Sequence, residues 1–428
     1  MRVLFATIGS LGDLHPCLGL AIELKRRGHT VVIASGEAHR TRVLQLGLEF
    51  RSLRPNLDPA DSTLVSLCED LKSGYEVLLR KLILPHLADT YTDLLAAAGE
   101  CDFMLAGEIV YAAPLVAEKT GLRWGSIILS PCSFLSAHDP SLLVPMPQLI
   151  RLRRVGWRVN RAVLNLGTSL IRHWWEPVRR LRIEEGLDSR CAPLTRDKFS
   201  PGLVLALFSS AFAERQPDWP ARTIQPGFVF YDQGPATSEF SELAHFLKDR
   251  DPPIVFTLGS TAVSNPGHFY RSSQEAALRL GRRAVLIGAR NLQSYPDRIF
   301  SIPYAPYSEV FPRASVIVHQ GGSGTTGQAL RAGRPMLFVP YGWDQPDNAL
   351  RVERLGAGLS LARKRYSAET AIPMLERLLT ETHFASRAAL LADEIRLQRG
   401  VEDACDAVEE AMLSMRPGLM HGNLAIRG

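Results

Sequence analysis

The order of apolar runs and glycine-rich turns at the amino terminus leaves this chain few folds to choose from. Val3 to Ile8 is uniformly apolar, Gly9-Ser10-Leu11-Gly12-Asp13 reads as a tight loop, Pro16 to Lys25 has helical spacing with Gly28 as its stop, and Thr30 to Ala34 is apolar again. Strand, loop, helix and strand in that order form a βαβ unit, which implies a parallel sheet. Phe103 to Ala106 and Gly125 to Leu129 continue the series. The pattern restarts at Ile254 to Leu258, which ends in Gly259-Ser260, and goes on through Ala284 to Ile287, Val316 to His319 and Met336 to Val339. Two separate series predict an α/β protein with two Rossmann-like, doubly wound domains, over residues 1–230 and 231–400. The Pro- and Gly-containing stretch Gln216 to Pro253 reads as the linker between them. A last helix, Val401 to Met415, is expected to cross back to the first domain, leaving 401–428 as helix and tail.

The length of 428 residues agrees with two domains, and 46% hydrophobic with 22% charged residues is an ordinary globular composition. A net charge of +5 suits anionic ligands and calls for no nucleic acid. Cys17, Cys68, Cys101, Cys132, Cys191 and Cys405 are scattered without metal-type spacing, so a reduced, cytoplasmic setting is expected. No uncharged apolar run is long enough to span a bilayer.

The most informative segment is His319-Gln320-Gly321-Gly322-Ser323-Gly324-Thr325-Thr326-Gly327, set between a buried strand and a helix expected to start near Thr325. Such a loop offers free backbone N–H groups at the positive end of a helix dipole, an anion site that hydroxyls can reinforce. After the next strand comes Pro340-Tyr341-Gly342-Trp343-Asp344-Gln345-Pro346, whose Asp-Gln pair can accept from and donate to neighbouring sugar hydroxyls.

HQGGSGTTGQALRAGRP with VPYGWDQPDNA resembles the donor-binding signature of the UDP-glycosyltransferase superfamily. The opening FATIGSLGDLHPCLGLAIELKRRGHTVVIAS is similar to the first βα unit of its bacterial antibiotic, sterol and rhamnolipid branch. The resemblance implies a GT-B fold, two such domains facing across a cleft, and inversion at the anomeric carbon with neither metal nor resident cofactor. It implies a UDP- or dTDP-sugar as co-substrate and a hydroxylated acceptor. It places His319, Gly322, Ser323, Gly324 and Thr325 on the diphosphate, with Ser260 beside them, Asp344 and Gln345 on the donor sugar, and Tyr304 against the base. Gln328 stands near the place where many members carry a ribose-binding Glu, a departure that favours a dTDP-sugar.

Glycosyl transfer also needs a base for the acceptor hydroxyl. Asp13, at the top of the first strand, falls where that branch keeps its base. His15 is the alternative, since an ordinary imidazole titrates near neutrality, and the competing role for Asp13 is a helix cap. Glu108 is a candidate for assisting the base or holding the acceptor, with a plain loop charge as the alternative; Phe134, Trp174 and Trp175 are candidate acceptor liners, each with core packing as the alternative, and the aromatic and aliphatic residues there suggest a lipophilic acceptor. Asp249-Arg250-Asp251 reads as a solvated charge cluster in the linker. Between Arg151 and Arg182 run Arg151, Arg153, Arg154, Arg158, Arg161, Arg172, Arg179, Arg180 and Arg182 against the single acid Glu176. That stretch reads as a helical insertion with a solvated face, or as a membrane-surface helix or lid. Three other functions remain open. Against an NAD(P) oxidoreductase, the loop after the first strand reads G-x-x-G-D where the G-x-G-x-x-G fingerprint would be expected, and a sugar-nucleotide epimerase or a non-catalytic partner protein would leave the Asp13 segment unexplained.

Overall fold

The computed structural model describes residues 1–57, 61–142, 146–232, 238–248, 251–290, 292–293, 295 and 297–414. The first sheet holds β1 (Arg2–Ala6), β2 (Thr30–Ser35), β3 (Glu49–Ser52), β4 (Phe103–Gly107), β5 (Trp124–Ile128), β6 (Val204–Ala206) and β7 (Thr223–Ile224) in the order β3-β2-β1-β4-β5-β6-β7. The second holds β8 (Ile254–Thr257), β9 (Ala284–Ile287), β10 (Ile299–Ile302), β11 (Val316–His319), β12 (Met336–Phe338) and β13 (Gly358–Ser360) in the order β10-β9-β8-β11-β12-β13. Every pairing between these strands is parallel, with Val3 opposite Val31 on one side and Phe103 on the other. Helices cover both faces, so central strands such as Val3-Leu4-Phe5-Ala6 and Ile254-Val255-Phe256 are apolar throughout and fully buried. The strand order reverses between β1 and β4 and again between β8 and β11. Those two reversals open crevices at the carboxyl ends of the strands, where ligands of such sheets bind.

Three details differ from the sequence reading. The first helix starts at Leu11 and has Pro16 inside it, because the Ser10 hydroxyl accepts from the Gly12 N–H and caps the helix ahead of the proline. The next glycine-rich loop likewise enters its helix at Ser323, with Gly322 as the cap. The 216–253 stretch is partly built: β7 extends the first sheet, and the helix Ser238–Phe246 buries Leu243 and Phe246 in the second domain. Of the Asp249-Arg250-Asp251 string, Asp249 and Arg250 lie outside the described residues, and Asp251 is exposed.

The helix Gly400–Ser414 packs on the helix Leu11–Arg26. Its Ala404, Cys405, Val408 and Met412 share a core with Leu20 and Leu24. Arg27 reaches Asp406 at 2.6 Å and Glu409 at 2.7 Å, and the Arg123 guanidinium donates to the Met412 carbonyl at 2.6 Å. All six cysteines are free, and no helix among the described residues is long and apolar enough to cross a membrane. Met412→Ala is therefore expected to lower unfolding stability by about 2–5 kcal/mol, seen as a lower denaturation midpoint of the first domain although the residue follows the second in sequence. An unchanged midpoint would show the helix to be detached in solution.

Candidate active site

On the first domain the site begins at the β1 to helix turn. Asp13 is the third residue of the helix Leu11–Arg26 and closes a capping box: its Oδ2 accepts from the Ser10 N–H at 2.8 Å and the Ser10 hydroxyl at 3.3 Å. Gly9 makes this possible, since at its φ of +130° a Cβ would stand 2.3 Å from Asp13 Oδ2. Only Oδ2 is engaged. Oδ1 has no hydrogen-bond partner among the described residues, so capping leaves one carboxylate oxygen for other work. Burial pushes the Asp13 carboxyl up to about 6, opposed by the Ser10 hydrogen bonds and aided by the charges of Glu108 and Asp344. Residues from β4 of the first domain and from the second domain thus converge on this acid.

Glu108, just beyond β4, lies 3.4 Å from the Nζ of Lys198, a buried cation. Tyr75, Tyr111 and Cys132 are close enough to feel the Glu108 charge, and burial raises each of them. His15 belongs to another group. Its ring packs on Tyr231 with centroids 4.9 Å apart, its Nε2 is buried without a partner, and burial with Arg42 and His39 lowers it to about 4. The structure therefore brings Asp13, but not His15, into the carboxylate cluster. Phe134 is stacked between Trp219 at 4.0 Å and Phe199 at 5.5 Å and sits in the core. An acceptor contact through its ring face is closed off by those neighbours. Trp175 is likewise core, edge-on to Tyr111 at 5.0 Å, with Trp174 packed at its margin.

The second domain supplies the facing wall at the β8/β11 crevice. His319 ends β11 and is fully buried; its Nδ1 accepts from the Gly321 N–H at 3.1 Å, and burial lowers it to about 3. A neutral imidazole that accepts at Nδ1 carries its proton on Nε2, and that donor is buried with no partner. Gln320 Oε1 and Thr326 Oγ1 are unpartnered in the same loop, as is Trp343 Nε1 in the next one. The first intrahelical bond runs from Thr326 N to Gly322 O, so the N–H groups of Ser323, Gly324 and Thr325 stand free at the helix start. Ser260 lies in the short turn of helix after β8, next to Gly259, whose φ of +66° and contact with the Gln320 amide bring the two strand ends together.

Asp344 Oδ2 accepts from the Ser323 hydroxyl at 2.7 Å and the Asn348 amide at 2.8 Å, and burial raises its carboxyl. Gln345 Oε1 accepts from the N–H groups of Tyr341 and Gly342, which turns its amide NH2 outward from the loop. Tyr304 is part-exposed beside Arg42, Tyr231 and Asp232. The Gln328 amide donates to Asp232 at 3.1 Å and its oxygen accepts from Arg331 at 2.7 Å. An acid absent from the loop is thus present in space, delivered by the segment that joins the domains.

Sequence reasoning missed the residues that close the cleft. Ser130 of the first domain donates to Asn348 at 3.3 Å, the Leu142 N–H donates to Asp347 at 2.7 Å, Asp139 pairs with the buried Arg351, and Glu69 pairs with Arg363 at 3.2 Å. Only the helical spacing of Asp347 and Arg351, four apart, gave a sign of one such group. Among the described residues no three of His, Cys, Asp or Glu are grouped to hold a metal ion.

Comparisons with known proteins converge. Residues 3–121 match the glycosyltransferase family 28 N-terminal domain, and residues 285–405 the erythromycin biosynthesis protein CIII-like C-terminal domain. The chain is 31% identical to O-mycaminosyltylonolide 6-deoxyallosyltransferase of Streptomyces fradiae, over 96% of this chain and 97% of that protein. Among solved structures, the calicheamicin glycosyltransferase CalG4 superposes with a TM-score of 0.72 at 19% identity, covering 97% of this chain and 99% of that one. The spinosyn rhamnosyltransferase SpnG, solved with thymidine diphosphate, gives 0.68 at 18% identity, covering 96% and 100%.

Asp13 is expected to titrate near 6, well above an ordinary aspartate, and Glu108→Gln is expected to lower that value because one raising charge is removed. Carboxyl-carbon NMR titration of the two proteins checks both; an Asp13 midpoint near 4 would contradict the burial described above.

Proposed function

The chain belongs to the UDP-glycosyltransferase superfamily of GT-B fold, in its bacterial natural-product branch, and we propose that it moves a hexose or deoxyhexose from a dTDP- or UDP-sugar to a hydroxyl of a lipophilic small molecule, inverting the anomeric centre. The observation that carries this reading is that Asp13 of the first domain feels the charge of Asp344 of the second, and Asp344 accepts from Ser323 at the start of the helix that follows the His319 loop.

In this reading the His319 Nε2–H, the free N–H groups of Ser323, Gly324 and Thr325, and the Ser260 and Thr326 hydroxyls donate to the diphosphate. Each buried donor left bare costs about 1–3 kcal/mol, so an anion that satisfies several at once is held strongly and stabilised as it leaves. Asp344 and Gln345 hold the sugar hydroxyls. Asp13 Oδ1 takes the proton of the acceptor hydroxyl as its oxygen bonds to the anomeric carbon, and the bond from that carbon to the phosphate oxygen breaks with its electron pair. One displacement from the face opposite the leaving group inverts configuration. Lys198 holds Glu108 at the edge of the acceptor side, where Glu108 keeps the Asp13 proton affinity high enough for a base.

The deoxysugar named in the Streptomyces relative and the thymidine diphosphate bound by SpnG support a dTDP-deoxysugar over UDP-glucose. The tylonolide named in the Streptomyces relative and the calicheamicin and spinosyn named in the structural neighbours support a natural-product aglycone as acceptor. A cytoplasmic setting fits a cytoplasmic pool of sugar nucleotides, and no resident cofactor or metal is required by the chemistry above.

Two outcomes check the scheme. A panel of dTDP- and UDP-sugars against macrolide and sterol acceptors, scored by mass, should give a deoxyhexose increment; changed donor with no acceptor product would point to an epimerase instead. Because the base must be deprotonated, kcat/KM should rise with pH through about 6 and then level, and Asp13→Asn should lower kcat by about 10²–10⁴. Retained turnover in Asp13→Asn with loss in His15→Ala would move the base to His15.

A further inference from the structure

The arginine-rich segment is not used by the chemistry above. Its centre is the helix Trp157–Leu170. The inner face of that helix is tied down: the Asn160 amide donates to the Ala137 carbonyl at 3.0 Å, and Arg161 pairs with Asp218, which also accepts from Ser136 at 2.7 Å and from the Ala137 N–H at 2.8 Å. The outer face carries Val159, Ala162, Leu166 and Leu170, which fall within about 80° of one another on a helical wheel of 100° per residue and all of which are exposed, Leu166 to 63% and Leu170 to 67%. A helix that already buries one face has no structural need of a second apolar stripe directed at water. Val155, also exposed, precedes it at the amino end, whereas Trp157 lies on the other side of the helix and stacks on His138 at 5.3 Å.

The charges sort in the same way. Arg153, Arg161, Arg179, Arg180 and Arg182 are paired with Asp139, Asp218, Glu176 and Glu118. Arg151, Arg154, Arg158 and Arg172 are exposed and have no ion-pair partner among the described residues. Unpaired arginines thus accompany an exposed stripe of leucine, valine and alanine.

We propose that this helix seats the protein on an anionic lipid bilayer, with the stripe at the depth of the acyl boundary and the four unpaired arginines among the headgroups. A second copy is a poorer occupant. A two-fold contact would set two groups of unpaired arginines face to face, where like charges oppose association. The helix is bonded to the loop at residues 136–142, and Leu142 of that loop donates to Asp347 of the second domain at 2.7 Å. The bilayer-facing helix is thereby tied, through that loop, to the second domain.

The test uses the full chain and co-sedimentation with vesicles of phosphatidylcholine alone or with phosphatidylglycerol admixed. Wild-type protein should partition to the anionic vesicles more strongly, and added salt should reduce the difference. Leu166→Gln with Leu170→Gln, and separately Arg151→Gln with Arg154→Gln, Arg158→Gln and Arg172→Gln, should each weaken that partition by at least about tenfold, with transfer to a dissolved acceptor unchanged. Equal binding to both vesicles would overturn the proposal, and that comparison needs no variant. Loss on arginine substitution alone would reduce the surface to a general polyanion or acidic-protein contact. A wild-type dimer that the leucine pair converts to monomer would assign the stripe to a second copy.

Discussion

The imidazole of His319 stands at the end of a central parallel strand with one nitrogen satisfied and the other, protonated, facing no partner. A buried donor in that state is costly, and a fold keeps it where something outside the chain completes it. The same cost recurs at the Thr326 hydroxyl and the Trp343 indole N–H. The strand order explains the clustering. β8 and β11 pair side by side, but the chain goes on from β8 to β9 on one side and from β11 to β12 on the other, so the loops leaving their carboxyl ends diverge and open one crevice between them. The glycines there let backbone and ligand approach, and the following helix adds its free N–H groups.

The first domain repeats that topology and turns it to another use. Its β1/β4 reversal holds Asp13 and Glu108, carboxylates with no anion to bind. Burial keeps the Asp13 proton affinity high while Ser10 fixes one of its oxygens, so the second is aimed and basic. Two crevices of opposite character face each other. One presents hydrogen-bond donors and the other carboxylates, the division of labour that the proposed transfer requires. Asp139 with Arg351, Ser130 with Asn348, Glu69 with Arg363 and the helix Gly400–Ser414 hold the two halves in register.

The buried central strands were legible because both faces of a parallel sheet are covered and the strands read as continuous apolar runs, as in Val3-Leu4-Phe5-Ala6. The edge strand Glu49-Phe50-Arg51-Ser52 was not legible, since one exposed side leaves it polar at alternate positions. The edge strands β7, β10 and β13 were not legible either, because exposed or half-buried positions such as Ile224, Ser301 and Ser360 interrupt their apolar runs. The loop His319 to Thr326 and the Asp344-Gln345 pair could be read because their chemistry is local in sequence. Lys198, Asp232 and Asn348 could not, because each gains its meaning from a partner on another element: Glu108, Gln328 and Ser130. Phe134 was read as a candidate acceptor contact with core packing as the alternative, and the structure stacks it on Trp219 and Phe199 in the core.

The central claim is that a nucleoside diphosphate completes the unpaired donors of the 319–326 loop. The most direct measurement is the ring-nitrogen NMR signal of His319 in nitrogen-15-labelled protein as thymidine diphosphate is added. The account predicts an Nε2-protonated neutral imidazole before addition and a saturable downfield shift of the Nε2 proton as it bonds to phosphate. A His319 signal unmoved at saturating nucleotide, or an imidazole protonated at both nitrogens beforehand, would contradict it.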